Sequence, residues 1–110
     1  MRKIHAEFIM VFNIKGGQRV IPIEGQPNPL NDDTFICKYE DSKEKWRVVD
    51  RATGMAISHA PTKKECIRRF IDLSSRYLEY KEKNPHYQKL IARFKELREK
   101  EVAEWQALVN

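Results

Sequence analysis

No apolar run in this chain approaches the ~18 residues that cross a bilayer, which excludes a membrane-spanning protein by helices. The amino terminus, Met1-Arg2-Lys3-Ile4-His5-Ala6-Glu7, is basic and then apolar, as a leader would be. Glu7 and Asn13 interrupt it, however, and no small-residue cleavage site follows, so it reads as a strand and a cytoplasmic setting is expected. Cysteine is scarce. Cys37 and Cys66 fall in an expected strand and an expected helix, so reduced, buried thiols are expected rather than a disulfide.

Catalytic and metal-binding patterns are missing too. His5, His59 and His86 are dispersed, and the cysteines add no cluster, so no metal site is expected. Gly16-Gly17 lacks the Lys-Ser/Thr that completes a phosphate-binding loop and reads as a hairpin turn. Ser58 and His59 are adjacent in an expected strand, so they point to opposite faces and form no nucleophile–base pair. Asp32, Asp33, Glu40 and Asp41 read as hydrated loop acids. No cofactor is implied, and the expectation is a protein that is not an enzyme.

What is present is organised around Lys45–Phe70, KWRVVDRATGMAISHAPTKKECIRRF. Trp46, Val48 and Val49 form a strand core. Asp50-Arg51-Ala52-Thr53-Gly54 supplies turn chemistry, with Gly54 free to take positive φ. Met55, Ala56 and Ile57 carry the return strand, which ends before Pro61. Thr62 and Glu65 have capping-box spacing. Ile67, Phe70, Ile71, Ser74, Tyr77 and Leu78 then recur at helical spacing and are expected to face the sheet.

Upstream, residues 4–14 alternate as a strand that is apolar on both faces in its middle. Lys15-Gly16-Gly17-Gln18 signals a hairpin, and Arg19–Glu24 returns as a strand that Pro22 places at an edge or at a bulge. Gly25–Asp33 (GQPNPLNDD) reads as an exposed irregular loop and a possible contact loop. Thr34–Glu40 is a further strand. Downstream, Asn84-Pro85 ends the first helix and starts a second. Its stripe is Tyr87, Leu90, Ile91, Phe94, Leu97, Trp105 and Leu108. At about 24 residues and roughly 36 Å it is longer than a small sheet needs, so its far end is expected to dock on the first helix or on a second copy. The expected fold is a single α+β domain over residues 1–110: an antiparallel meander of four to five strands over 1–61, a helix over 62–83 and a helix over 85–109.

The formal charge of +5 is uneven: residues 1–61 hold nine Lys/Arg against eight Asp/Glu, and residues 62–110 hold twelve against eight. Basicity therefore lies mainly on the helices and favours an anionic partner. Lys63, Lys64, Arg68 and Arg69 at the helix start, with Arg47 and Arg51 on the preceding hairpin, are the expected contacts to a phosphate backbone, although Asp72, Glu79 and Glu82 dilute the field. Over residues 34–80 the order of strands and then helix resembles, in architecture alone, small DNA-binding modules of mobile elements whose sheet enters the major groove. The sequence thus points to a binding module acting on nucleic acid or on a nucleic-acid-handling protein. The alternative is a self-associating protein-interaction module or small inhibitor using Phe94, Leu97, Val102 and Trp105 on the second helix.

Overall fold

The computed structural model describes residues 8–14, 17–40 and 42–109, with backbone alone for 12–14 and 105. The expectations for Ile4–Glu7, for Lys15-Gly16, for Asp41 and for the Trp105 side chain lie outside what is described. The fold is α+β, with antiparallel strands followed by two carboxy-terminal helices. The strands form two sheets, not one continuous meander. Among the described residues β1 (Ile9–Ile14) and β2 (Gly17–Pro22) form a two-stranded sheet of their own, in register from Ile9 opposite Pro22 to Ile14 opposite Gly17. β3 (Gly25–Pro27), β4 (Thr34–Lys38), β5 (Trp46–Asp50) and β6 (Ala56–Ala60) form a four-stranded meander in sequence order.

β3 corrects the expected nine-residue loop. Its three residues pair with Phe35–Cys37 at the sheet margin, where the amide that Pro27 lacks is least needed. Gly25 is required there: a Cβ on it would stand 2.8 Å from the Ile36 carbonyl oxygen. The remaining bend, residues 28–33, is braced from inside. Buried Asn28 donates to Thr34 Oγ1 at 3.0 Å and accepts from the Leu30 amide at 3.0 Å.

Both helices begin where the sequence places their caps. α1 (Lys63–Lys83) starts after Thr62, whose hydroxyl accepts from the Glu65 amide at 3.2 Å. α2 (Pro85–Val109) starts after Asn84, whose side chain accepts from the His86 amide at 2.9 Å. α1 lies on β5 and β6, where Ile36, Val48, Ala60, Cys66, Phe70 and Tyr77 form one core. The apolar stripe is narrower than expected: Phe70 and Tyr77 are buried, but Ile71 and Leu78 face solvent at 54% and 52% exposure. The opposite face of the same sheet is also covered, with Phe35, Cys37 and Val49 packed against Phe8 and Met10.

Among the described residues the middle of α2, and not its far end, packs on the strands. It rests on the β1–β2 hairpin, where Phe94 and Leu97 meet Val20, Ile9 and Val11 in a third core. Arg19 on β2 donates two hydrogen bonds to Glu101 Oε1, at 2.9 and 3.2 Å, and one to Oε2 at 3.1 Å, and this fixes the helix lengthwise. Gly54 sits under the same helix with φ +69°, and a Cβ there would come within 2.6 Å of the Phe94 ring. The glycine thus serves both the turn and the approach of α2.

Candidate functional site

The six arginines and lysines expected to form one cationic surface are divided between places. The strand register explains the division. Trp46 pairs with Lys38 on one side and Ala60 on the other, so all three lie in one row at the end of the sheet where α1 begins. The ammonium groups of Lys38 and Lys63 each stand 5.8 Å from the Trp46 ring, within cation–π range. Lys64 adjoins Lys63 and is exposed. Lys45 and Lys38 both reach Glu40, at 3.5 and 3.1 Å, and the hydrogen bond from Lys38 holds the Glu40 carboxyl below its usual range.

Arg68 and Arg69 lie on the same helix but are paired with acids. Arg68 reaches Glu65, while Arg69 reaches Glu65 and Glu44 and donates to the His59 carbonyl at 2.6 Å. His59 is exposed and also meets Glu44. Arg47 is one residue along β5 from Trp46 and therefore points to the other sheet face. Its guanidinium lies 5.5 Å from the Tyr39 ring centroid. Arg51, beyond the far end of β5, sits 5.0 Å from the Phe8 ring. Lys63, Lys64, Arg68 and Arg69 therefore share the first turns of α1, with Lys63 at Trp46 and Arg69 at Glu44, and Arg47 and Arg51 lie elsewhere.

Among the residues expected at an oligomer interface, Phe94 and Leu97 are buried within this chain against β2. This corrects their assignment to an intermolecular surface. Val102 is 43% exposed, and Leu108 and Val109 further along are 85% and 78% exposed.

A second constellation carries no sequence motif. Asp50, at the end of β5, is buried with its carboxylate surrounded by hydroxyls. Thr53 donates to Oδ2 at 2.7 Å, Tyr77 of α1 donates to Oδ1, and Tyr87 of α2 spans both oxygens at 2.9 and 3.1 Å. Burial, with the adjacent Asp50 carboxylate second, pushes both tyrosine hydroxyls well above their ordinary range. Asp50 reads in sequence as a turn residue and the tyrosines as members of apolar stripes, so only their shared partner links them. Beside the cluster, α1, α2 and β6 enclose a mainly apolar cleft of about 250 Å³, walled by Met55, Ile57, Leu73, Tyr80 and Leu90, with Arg76 exposed at its margin.

The thiols are unsuited to chemistry. Burial pushes Cys37 up to about 12 and raises Cys66 as well, so neither is a thiolate near neutral pH. Ser58 is buried and bonded to the Cys66 carbonyl at 3.1 Å, on the face opposite His59. Among the described residues no group of three or more His, Cys, Asp or Glu is placed to hold a metal ion, and no helix is long and apolar enough to cross a membrane. No family model, no curated protein and no solved structure matches this chain.

Proposed function

We propose that the protein is a non-enzymatic binding module that contacts nucleic acid through the lysine-rich end of its four-stranded sheet. The observation that carries this reading is the half-buried Trp46 flanked by the Lys38 and Lys63 ammonium groups at the start of α1. Lysine heads neutralise phosphates and release counterions, and an indole beside them offers a surface for a base or sugar. Lys64 adds a charge with no acidic partner among the described residues, whereas Glu65 and Glu44 offset Arg68 and Arg69. Arg47 and Arg51 have no part in this contact.

The test is fluorescence anisotropy of labelled duplex and single-stranded oligonucleotides across a salt series. With Lys63 and Lys64 engaged, and Lys38 and Lys45 offset in part by Glu40, log K against log salt has a slope of about −2 to −4. The double substitution Lys63→Glu, Lys64→Glu flattens that slope and weakens binding at least about tenfold, while Arg51→Ala leaves both unchanged. No binding of either oligonucleotide at low salt would overturn the reading.

A second reading has its own observation. Beyond Glu101 the last two turns of α2 expose Val102, Leu108 and Val109, an apolar surface suited to self-association. Sedimentation velocity of Val102→Asp, Leu108→Asp against the parent chain tests it. A concentration-dependent dimer in the parent that the variant abolishes supports the reading, and a monomer in both sinks it.

A further inference from the structure

We propose that the cleft between α1, α2 and β6 is a binding site for a small aromatic or branched apolar acid, whose carboxylate is met by Arg76.

The shape and lining set the apolar half of the ligand. The cleft is about 250 Å³, between the size of a benzene-sized void and that of a typical small-ligand pocket. The Tyr77, Tyr80 and Tyr87 rings all border it, with Tyr80 edge-on to Tyr87 at 5.8 Å between centroids. Such a lining favours a flat ring or a branched aliphatic group.

The charge of the ligand follows from which polar groups are already committed. Asp50 also borders the cleft and would ordinarily attract a cation. Its carboxylate, however, accepts from the hydroxyls of Thr53, Tyr77 and Tyr87, the last shared between both oxygens, so both oxygens are already engaged within the protein. Arg76 makes no ion pair or hydrogen bond among the described residues and borders the same space, so the uncommitted charge at this cleft is positive. A guanidinium takes a carboxylate through two parallel hydrogen bonds.

A free acid fits better than the end of a peptide. A chain leaving the cleft along β6 would have to pair with an edge already blunted in two ways. Arg69 donates to the outward His59 carbonyl at 2.6 Å, and the β5–β6 ladder shifts register beside Val48 and Val49.

The probe is 3-phenylpropanoate, titrated by amide chemical-shift perturbation, with neutral 3-phenylpropanamide and cationic 3-phenylpropylamine as matched comparisons. The acid is expected to saturate, with shifts centred on Ile57, Leu73 and Tyr87, and the amide to bind at least about tenfold more weakly. Arg76→Ala removes the difference between acid and amide while leaving the amide unchanged. Its side chain is exposed and unbonded, so an unaltered thermal midpoint is expected. Ala56→Trp, which enters the cleft from an exposed position on β6, abolishes binding of both. The proposal is overturned if the acid shows no saturation by about 10 mM, if amide and acid bind alike, or if the amine binds best. It is also overturned if an unstructured hexapeptide ending in Phe with a free carboxylate binds more than about tenfold tighter than the acid, since that result assigns the cleft to a chain terminus.

Discussion

Asp50 is a buried acid on which hydroxyls from three parts of the chain converge. A buried carboxylate is tolerable only when its oxygens are hydrogen-bonded, and here the donors come from a turn, α1 and α2. Asp50→Ala strands three hydroxyls at once, and a loss of about 3–5 kcal/mol in urea unfolding is expected. Tyr87→Phe leaves Asp50 with Tyr77 and Thr53 and is expected to cost about 1–2 kcal/mol. The weakened acidities of Cys37, Cys66, Tyr77 and Tyr87 act together on pH dependence. Each group is more readily ionised in the unfolded chain, which therefore binds fewer protons than the native state once the unfolded value is passed. Stability from these groups is full below pH 9.0, the ordinary thiol value, and declines above it, more steeply past the ordinary tyrosine value of 10.0. Each group adds up to about 1.4 kcal/mol per pH unit. Urea midpoints at pH 7, 9.5 and 10.5 check the direction, and an unchanged midpoint would contradict the burial of these side chains.

At the scale of elements, the helices were the most legible part of the sequence and the strand partners the least. Thr62 and Asn84-Pro85 are local signals, because capping satisfies amides within a few residues of the capping group. Thr62 and Asn84 accept from the amides the spacing implied, but the Glu65 carboxylate turns to Arg68 and Arg69 and not back to the Thr62 amide, so the expected box is half formed. The α2 stripe stated which face is buried but not against what, since hydrophobic burial has no directional partner. Phe94 and Leu97 consequently read as equally suited to an interface or a core, and the core has them. β3 was hidden because a three-residue margin strand has too few positions for a two-residue rhythm to appear. Its proline, moreover, argues locally against a strand. Similarly, the register that puts Trp46 beside Lys38 depends on pairing that no single strand encodes, whereas Arg47 on the reverse face follows from alternation along β5 alone. The docking of α2 has a direct test at Gly54. Gly54→Ala combines a positive φ with a collision against Phe94 and is expected to destabilise by about 2–4 kcal/mol. Loss of the near-ultraviolet circular dichroism of the packed aromatics would accompany it. Arg19→Ala, which leaves the buried Glu101 carboxylate without its guanidinium, is expected to cost about 1–2 kcal/mol after allowance for the solvent exposure of Arg19.

At the scale of the molecule, three small cores among the described residues replace the single seam that a meander with helices on one face would have. One lies between the four-stranded sheet and α1, one between that sheet and Phe8 with Met10, and one between α2 and the hairpin. β4 and β5 belong to the first two at once, since Ile36 and Val48 face α1 while Phe35 and Val49 face away. Hydrogen exchange is therefore expected to be slowest at Ile36, Val48 and Val49, approaching global unfolding. It should be fastest in α2 from Val102 onward, where no side chain described as buried remains. Equal protection along the whole of α2 would instead mean that its end is covered in solution, as the self-association reading requires.

The three hydroxyls around Asp50 also impose an order on synthesis. A ribosome releases Thr53 first, then Tyr77, and Tyr87 only after the full sheet and α1 have emerged. Until then the nascent chain holds an anion with one donor missing and a cleft with one wall absent. Arrest peptides placed at successive lengths should therefore register their main pulling force only once Tyr87 has cleared the exit tunnel.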